Sequence, residues 1–126
     1  MNGKNVLIVD DSAVMRKIIL RSLEQAGLQF DEVLQAGSGV EALEILKSKP
    51  LSLILTDVNM PAMDGLEFVR RLEELSLVQS IPVVMITTEA GEKHVMEALS
   101  HGARGYIRKP FTADQIKERI VPLLGD

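Results

Sequence analysis

Five times along the chain a short apolar run is followed by a longer stretch with apolar residues three and four apart, and no other feature restricts the fold as strongly. The first run, "NVLIV" (5–9), has no polar alternation, as expected for a strand buried on both faces of a parallel sheet. After it, Val14, Ile18, Leu20, Leu23 and Ala26 form an apolar stripe near helical spacing, and Gly27 offers a stop. The pattern then repeats. "DEVLQA" (31–36) reads as a weak strand, and "SGVEALEILKS" (38–48) as a helix opened by the capping pair Ser38 and Glu41. "LSLILTD" (51–57) reads as a strand, and Asp64 can cap a helix carrying Leu66, Val69, Leu72 and Leu75. "IPVVMITT" (81–88) is a strand with proline near its start, where a missing donor does least harm. A helix over 90–101, a strand "RGYIRK" (104–109) and a last helix opened by Thr112 and Gln115 complete the chain.

Strands alternating with helices imply a parallel sheet covered on both faces, with right-handed crossovers. The expected fold is α/β, a flavodoxin-like doubly wound (βα)5 arrangement in strand order 2-1-3-4-5, with its switch point between strands 1 and 3. At 126 residues, 46% of them apolar, residues 1–126 have the size of one domain. The net charge is -4 and there is no long basic run, so the electrostatic footprint of a nucleic-acid binder is missing. Arg16-Lys17 and Arg70-Arg71 read as solvated helix faces. With no cysteine, disulfides and thiolate metal sites are excluded. The apolar stretch of "MNGKNVLIVDDS" is too short for a signal peptide or a membrane span, so the expectation is a cytoplasmic protein without membrane insertion.

The polar residues gather at the strand ends. Strand 1 ends in Asp10-Asp11, strand 3 in Asp57, strand 4 in Thr87-Thr88 and strand 5 in Lys109, and parallel strands bring all these ends to one edge of the sheet. In such sheets ligands bind beyond the carboxyl ends at the switch point. An isolated Asp after a strand is ordinarily a turn or cap residue. Four strand ends supplying carboxylates, a hydroxyl and an ammonium point instead to a shared pocket. Carboxylates so close repel one another unless a cation relieves them, and an all-oxygen set suits Mg²⁺. Asp57 can serve there as a nucleophile toward phosphorus, with Lys109, the Thr87 hydroxyl and backbone N–H groups of 58–60 neutralising the phosphoryl oxygens. No general base is needed, because a carboxylate is already ionised at neutral pH.

"VLIVDDS", "LILTDVNMPAMDG", "VVMITTEA" and "GYIRKPF" resemble, in order and spacing, the signature segments of receiver domains of two-component response regulators, above all the single-domain chemotaxis members. The resemblance implies that Asp57 takes a phosphoryl group from a phosphohistidine on a sensor histidine kinase. It implies that Asp10, Asp11 and Asp57, with the Asn59 carbonyl, hold Mg²⁺, with Mn²⁺ as a substitute. Thr87 and Lys109 match the hydroxyl and lysine on the phosphoryl oxygens, Tyr106 the switch aromatic, and Lys109-Pro110 the family's cis peptide. Asn59 and Glu89 occupy positions that tune the lifetime of the phosphate. Thr88 departs from the smaller residue usual in the family, and its bulk is expected to narrow access to Asp57.

The implied activity is that of a phosphorylation-activated switch, a regulator rather than an enzyme, which takes part in its own phosphorylation and autodephosphorylation. Thr87 is expected to move toward the phosphate and Tyr106 into the vacated space, reshaping the surface of the fourth helix, fifth strand and fifth helix for an output target. Monomer and phosphorylation-dependent dimer are both compatible, as are a single-domain protein and the receiver of a larger regulator. Two other readings differ in class. A Mg²⁺-dependent phosphohydrolase would want a second Asp as acid/base where Asn59 stands. A phosphate-independent interaction module is disfavoured by the intact set of Asp10, Asp11, Asp57, Thr87 and Lys109. His94 and His101 are too far apart for a metal pair on one helix and read as exposed; Phe30, Phe68, Phe111 and most methionines read as packing residues, and Met60 and Met63 are assigned no chemistry.

Overall fold

The computed structural model describes residues 4–88 and 91–124. Five strands, β1 (Asn5–Val9), β2 (Glu32–Ala36), β3 (Leu53–Asp57), β4 (Val83–Thr87) and β5 (Gly105–Arg108), alternate with five helices, α1 (Ala13–Gln25), α2 (Gly39–Leu46), α3 (Gly65–Glu74), α4 (Glu92–Ser100) and α5 (Ala113–Leu124). The strands form one sheet in the order β2-β1-β3-β4-β5, every pair parallel. This is the expected order, with the reversal of direction between β1 and β3.

The continuous apolar runs are explained by burial on both faces. Leu7, Val9, Ile54, Val83 and Met85 pack with Ala42, Phe68, Leu72 and Ala98 beneath α2, α3 and α4. Their neighbours in the strands, Val6, Ile8, Leu53, Leu55, Val84 and Ile86, pack with Ile19, Leu23, Ile116 and Ile120 beneath α1 and α5. Successive side chains of a strand point to opposite faces, so each run must be apolar throughout. The edge strand β2 is buried only at Ala36, which is why its sequence signal is weak.

Local signals set where the helices begin. The side chains of Ser12, Ser38 and Asp64 accept from the N–H groups of Met15, Glu41 and Glu67, each relieving a donor that the first turn leaves without a partner. Thr112 and Gln115 form the reciprocal pair, at 2.9 and 3.1 Å. Around Ser38 the expected box is displaced by one residue, since the Glu41 carboxylate accepts from Gly37 rather than from the cap itself.

Several expectations need correction. In α1 the core face is Met15, Ile19 and Leu23, whereas Val14 and Ile18 are 68% and 45% exposed. The apolar positions of this helix form a band wider than the sheet can cover, and periodicity alone does not say which edge of a broad band docks. Leu75 is the residue that ends α3 and is 59% exposed, and the buried face there is instead completed by Phe68. Among the described residues, β5 stops one residue before Lys109, and α2 is shorter at both ends than 38–48. His101 is not a plain exposed helix residue: it closes α4 and its Nδ1 lies 2.6 Å from Oε1 of Glu73, tying α4 to α3. Phe30 and Phe111 pack at the margin of the α1/α5 layer, and Met60 belongs to the core.

Truncating Ile19→Ala is expected to destabilise the fold by about 2–5 kcal/mol, while Val14→Ala should stay within about 0.5 kcal/mol. Urea unfolding of both variants checks the rotational setting of α1; equal losses would refute it.

Candidate functional site

The backbone that carries Asp10 is fixed before its carboxylate is considered. Its N–H donates to the Ala36 carbonyl at 3.0 Å, extending the β1–β2 ladder by one residue. Its carbonyl accepts from Nη1 of Arg16, whose Nε donates to Oε1 of Gln35 at 2.9 Å. The Asp10 side chain is buried, with Oδ1 accepting the Ser12 N–H at 2.9 Å. Asp11 is exposed beside it. Asp57 closes β3 opposite Ile86, and Oδ1 accepts the Val58 N–H at 2.7 Å.

On the other side, the Lys109 N–H donates to the Thr87 carbonyl at 2.6 Å, and the Lys109-Pro110 peptide is cis. Nζ of Lys109 lies 3.4 Å from Oδ2 of Asp10 and 3.6 Å from Oδ1 of Asp57. Residues 99 and 52 positions away in the chain thus share one ammonium, because the parallel strands β1, β3 and β5 end at the same edge of the sheet, and Lys109 reaches across the end of β4. A carboxylate oxygen from each of Asp10, Asp11 and Asp57 comes within 4.8 Å of the others.

One ammonium does not balance three carboxylates. Burial raises the pKa of Asp57 above the ordinary carboxylate value; Lys109 pulls it down, the charge of Asp10 pushes it up by less, and the N–H groups of Val58 and Asn59 lower it further. The donor set is oxygen only and carries excess negative charge, which fits a hard divalent cation and not a thiophilic one.

The remaining expected residues fall around this cluster. Thr87 is fully buried at the end of β4, and its hydroxyl donates to the Thr88 carbonyl at 3.1 Å rather than to Asp57. Thr88 is exposed, and Asn59 lies on the exposed loop after β3. Tyr106 is half-buried in β5 opposite Met85, against the α4 side of the core. Glu89 lies outside the described residues.

Two contributors were missed by sequence reasoning, and one was read wrongly. Arg16 is not part of a solvated face, since it is half-buried and anchors the main chain of Asp10. The signal was its place in the first turns of α1, where side chains lean back toward the helix N-terminus. Gly65 lets α3 begin against the main chain of Asp57: a Cβ there would lie 2.1 Å from the Asp57 carbonyl oxygen. A Cβ at Gly91 would lie 2.2 Å from Oγ1 of Thr87. Arg70 and Arg71, by contrast, do form a surface face paired with Glu97 and Glu67.

The raised Asp57 pKa fixes the sign of a pH effect. Folding favours the protonated form, so this group costs stability as pH rises from the ordinary carboxylate value to the raised one, and the cost persists above it. In chelator, Asp57→Asn is expected to melt higher than the wild type at neutral pH, and the gap should close on acidification through the carboxylate range. Thermal melts across pH check this; a variant that melts lower at neutral pH would refute the account of a strained acidic cluster.

Comparison with known proteins agrees with this geometry. The family model described as the response regulator receiver domain matches residues 6–121. The chain is 42% identical over 121 residues to a chemotaxis protein CheY homolog of Campylobacter jejuni, covering 95% of this chain and 92% of that protein. It is 43% identical over 121 residues to chemotaxis protein CheY1 of Helicobacter pylori, covering 95% and 96%. Among solved structures, Vibrio cholerae chemotaxis protein CheY4 superposes with a TM-score of 0.82 at 35% identity, covering 96% of this chain and 98% of that one. With a receiver-domain model matched over residues 6–121 and relatives 42 and 43% identical over 95% of its length, the chain belongs to the response regulator receiver domain family.

Proposed function

We propose that Asp57 is the phospho-acceptor of a signalling switch served by a sensor histidine kinase. A carboxylate oxygen of Asp57 attacks the phosphorus of a phosphohistidine, the new O–P bond forms as the N–P bond breaks, and the imidazole leaves with the electron pair. The observation that carries this reading is the joining of Asp10, Asp11 and Asp57 within 4.8 Å around the Lys109 ammonium. Transfer of this kind depends on positioning and charge neutralisation more than on proton chemistry.

Asp10, Asp11 and Asp57, with the Asn59 carbonyl, would hold Mg²⁺ or Mn²⁺. Such an ion, when bound, offsets the charge of the carboxylates and of the phosphoryl oxygens. Lys109 is held by its main-chain bond to Thr87 and directs its ammonium between the Asp10 and Asp57 carboxylates. The Val58 N–H fixes where Oδ1 of Asp57 points, and Gly65 lets α3 start against the Asp57 main chain. Asn59 and Glu89 are the residues proposed to set how fast water removes the phosphate, so that the protein takes part in both its phosphorylation and its autodephosphorylation.

The output follows from what the phosphoryl oxygens attract. A charge-assisted hydrogen bond contributes about 1.5–3 kcal/mol, and shifting a two-state equilibrium from 1:99 to 99:1 takes about 5.5 kcal/mol, so two or three new bonds suffice. Thr87 is the first candidate, since among the described residues its hydroxyl donates to the Thr88 carbonyl and not to Asp57. Its movement would open space for Tyr106 and reshape the face of α4, β5 and α5, where Arg108 pairs with Glu92 at 3.1 Å. A target protein reading that face in the cytoplasm, with chemotaxis as the setting, completes the proposal.

Incubation with acetyl phosphate and Mg²⁺ should add a single phosphoryl group to the wild type and none to Asp57→Asn, read by intact-protein mass. Multiple turnover of foreign phosphate esters would favour a phosphohydrolase instead, and no adduct an inert module. Thr87→Ala should still accept phosphate but lose phosphorylation-dependent binding of the target; full retention of that affinity refutes the coupling. Mg²⁺ at 100 times its dissociation constant should stabilise the wild type by about 2.7 kcal/mol, measured by urea unfolding with and without chelator.

A further inference from the structure

Gly91 precedes α4 with φ -91° and ψ -4°. Any L-residue adopts that conformation, so the backbone does not call for glycine. The neighbouring side chains do. A Cβ at this position would lie 2.2 Å from Oγ1 of Thr87 and 3.5 Å from Nδ2 of Asn59. The Thr87 hydroxyl therefore rests in space that every other residue type would fill. There it donates to the Thr88 carbonyl at 3.1 Å, which also accepts the Gly91 N–H at 3.0 Å.

Stereochemistry makes the consequence specific. The Cβ of threonine carries a hydroxyl, a methyl and a hydrogen, and these exchange places among three staggered rotamers. With a side chain at 91, only the hydrogen fits the place the hydroxyl now holds. One rotamer of the three survives, and the resting bond to the Thr88 carbonyl is lost.

We propose that Gly91 is a positioning residue of the switch: its missing side chain lets the Thr87 hydroxyl rest against the start of α4, and so sets how readily that hydroxyl is drawn onto a phosphoryl group at Asp57. The inference rests on the reading of Asp57 as acceptor and Thr87 as the hydroxyl contact, and goes beyond it by placing control of the resting state at residue 91. Asn59, on the other flank of the same space, is the second side chain that a group at 91 would displace.

The test is titration of the whole chain with beryllofluoride and Mg²⁺, followed by the fluorescence of Tyr106, its one tyrosine. Gly91→Ala is expected to bind about fivefold tighter than the wild type, the worth of one neutral hydrogen bond that no longer competes. In a Thr87→Ala background the same change at 91 should have no such effect, a dependence that a merely structural role would not show. Unchanged or weaker binding by Gly91→Ala, or undiminished tightening without the Thr87 hydroxyl, would overturn the proposal. Should Gly91→Ala fold poorly, Gly91→Ser carries the same Cβ with a capping hydroxyl. Side-chain couplings of Thr87 in the free wild type supply an independent readout: a χ1 that turns the methyl toward Gly91 overturns the proposal as well. Failure of the wild type itself to bind beryllofluoride would instead sink the acceptor reading of Asp57.

Discussion

The carboxylates of Asp10 and Asp57 share the single ammonium of Lys109, at 3.4 and 3.6 Å, and the rest of the molecule is arranged so that they must. None of the three can move independently. Asp10 is held by main-chain bonds to Ala36 and Arg16, Asp57 by its place in β3 and the closeness of Gly65, and Lys109 by its bond to Thr87. Three carboxylates with one counter-charge form a site that is incompletely neutralised, and burial, the main cause of the raised pKa of Asp57, adds a desolvation cost to it. A stable apolar sheet bears that local cost; an isolated loop would relax away from it.

The same arrangement separates chemistry from response. Asp10, Asp11 and Asp57 sit beyond β1 and β3, at the switch point, while Thr87 and Tyr106 belong to β4 and β5 on the way to the opposite edge. In the proposed switch a charge change at Asp57 would reach the far side through one buried hydroxyl, Thr87, and one half-buried ring, Tyr106. The helix on that side, α4, is braced to α3 by Arg70–Glu97 and His101–Glu73 and to β5 by Glu92–Arg108. These are partly exposed pairs of the kind worth little singly, so they steady the helix without locking it.

Much of this was legible in the sequence. The continuous runs at 5–9 and 51–57 required strands covered on both faces, and from them the strand order and the convergence of Asp10, Asp11, Asp57, Thr87 and Lys109 at one edge followed. Capping residues located the starts of α2, α3 and α5 because such caps act within three residues of the chain. The reading failed where a local pattern had more than one solution in space. Val14 and Ile18 belong to the same apolar band as Ile19 and Leu23, and Arg16 looked like any solvent-facing cation.

By itself, then, the order of residues determined which segments are strands and helices, how they alternate, and which strand ends carry acid, hydroxyl and amine, because apolar periodicity and capping are short-range matters. Only the tertiary structure decided which edge of α1 docks, that Arg16 fastens Asp10, that Lys109 reaches both carboxylates, and that the Thr87 hydroxyl lies where a side chain at 91 would stand. Those outcomes depend on distances of a few ångströms between segments far apart in the chain. Packing fixes such distances, and no periodicity along a single segment encodes them.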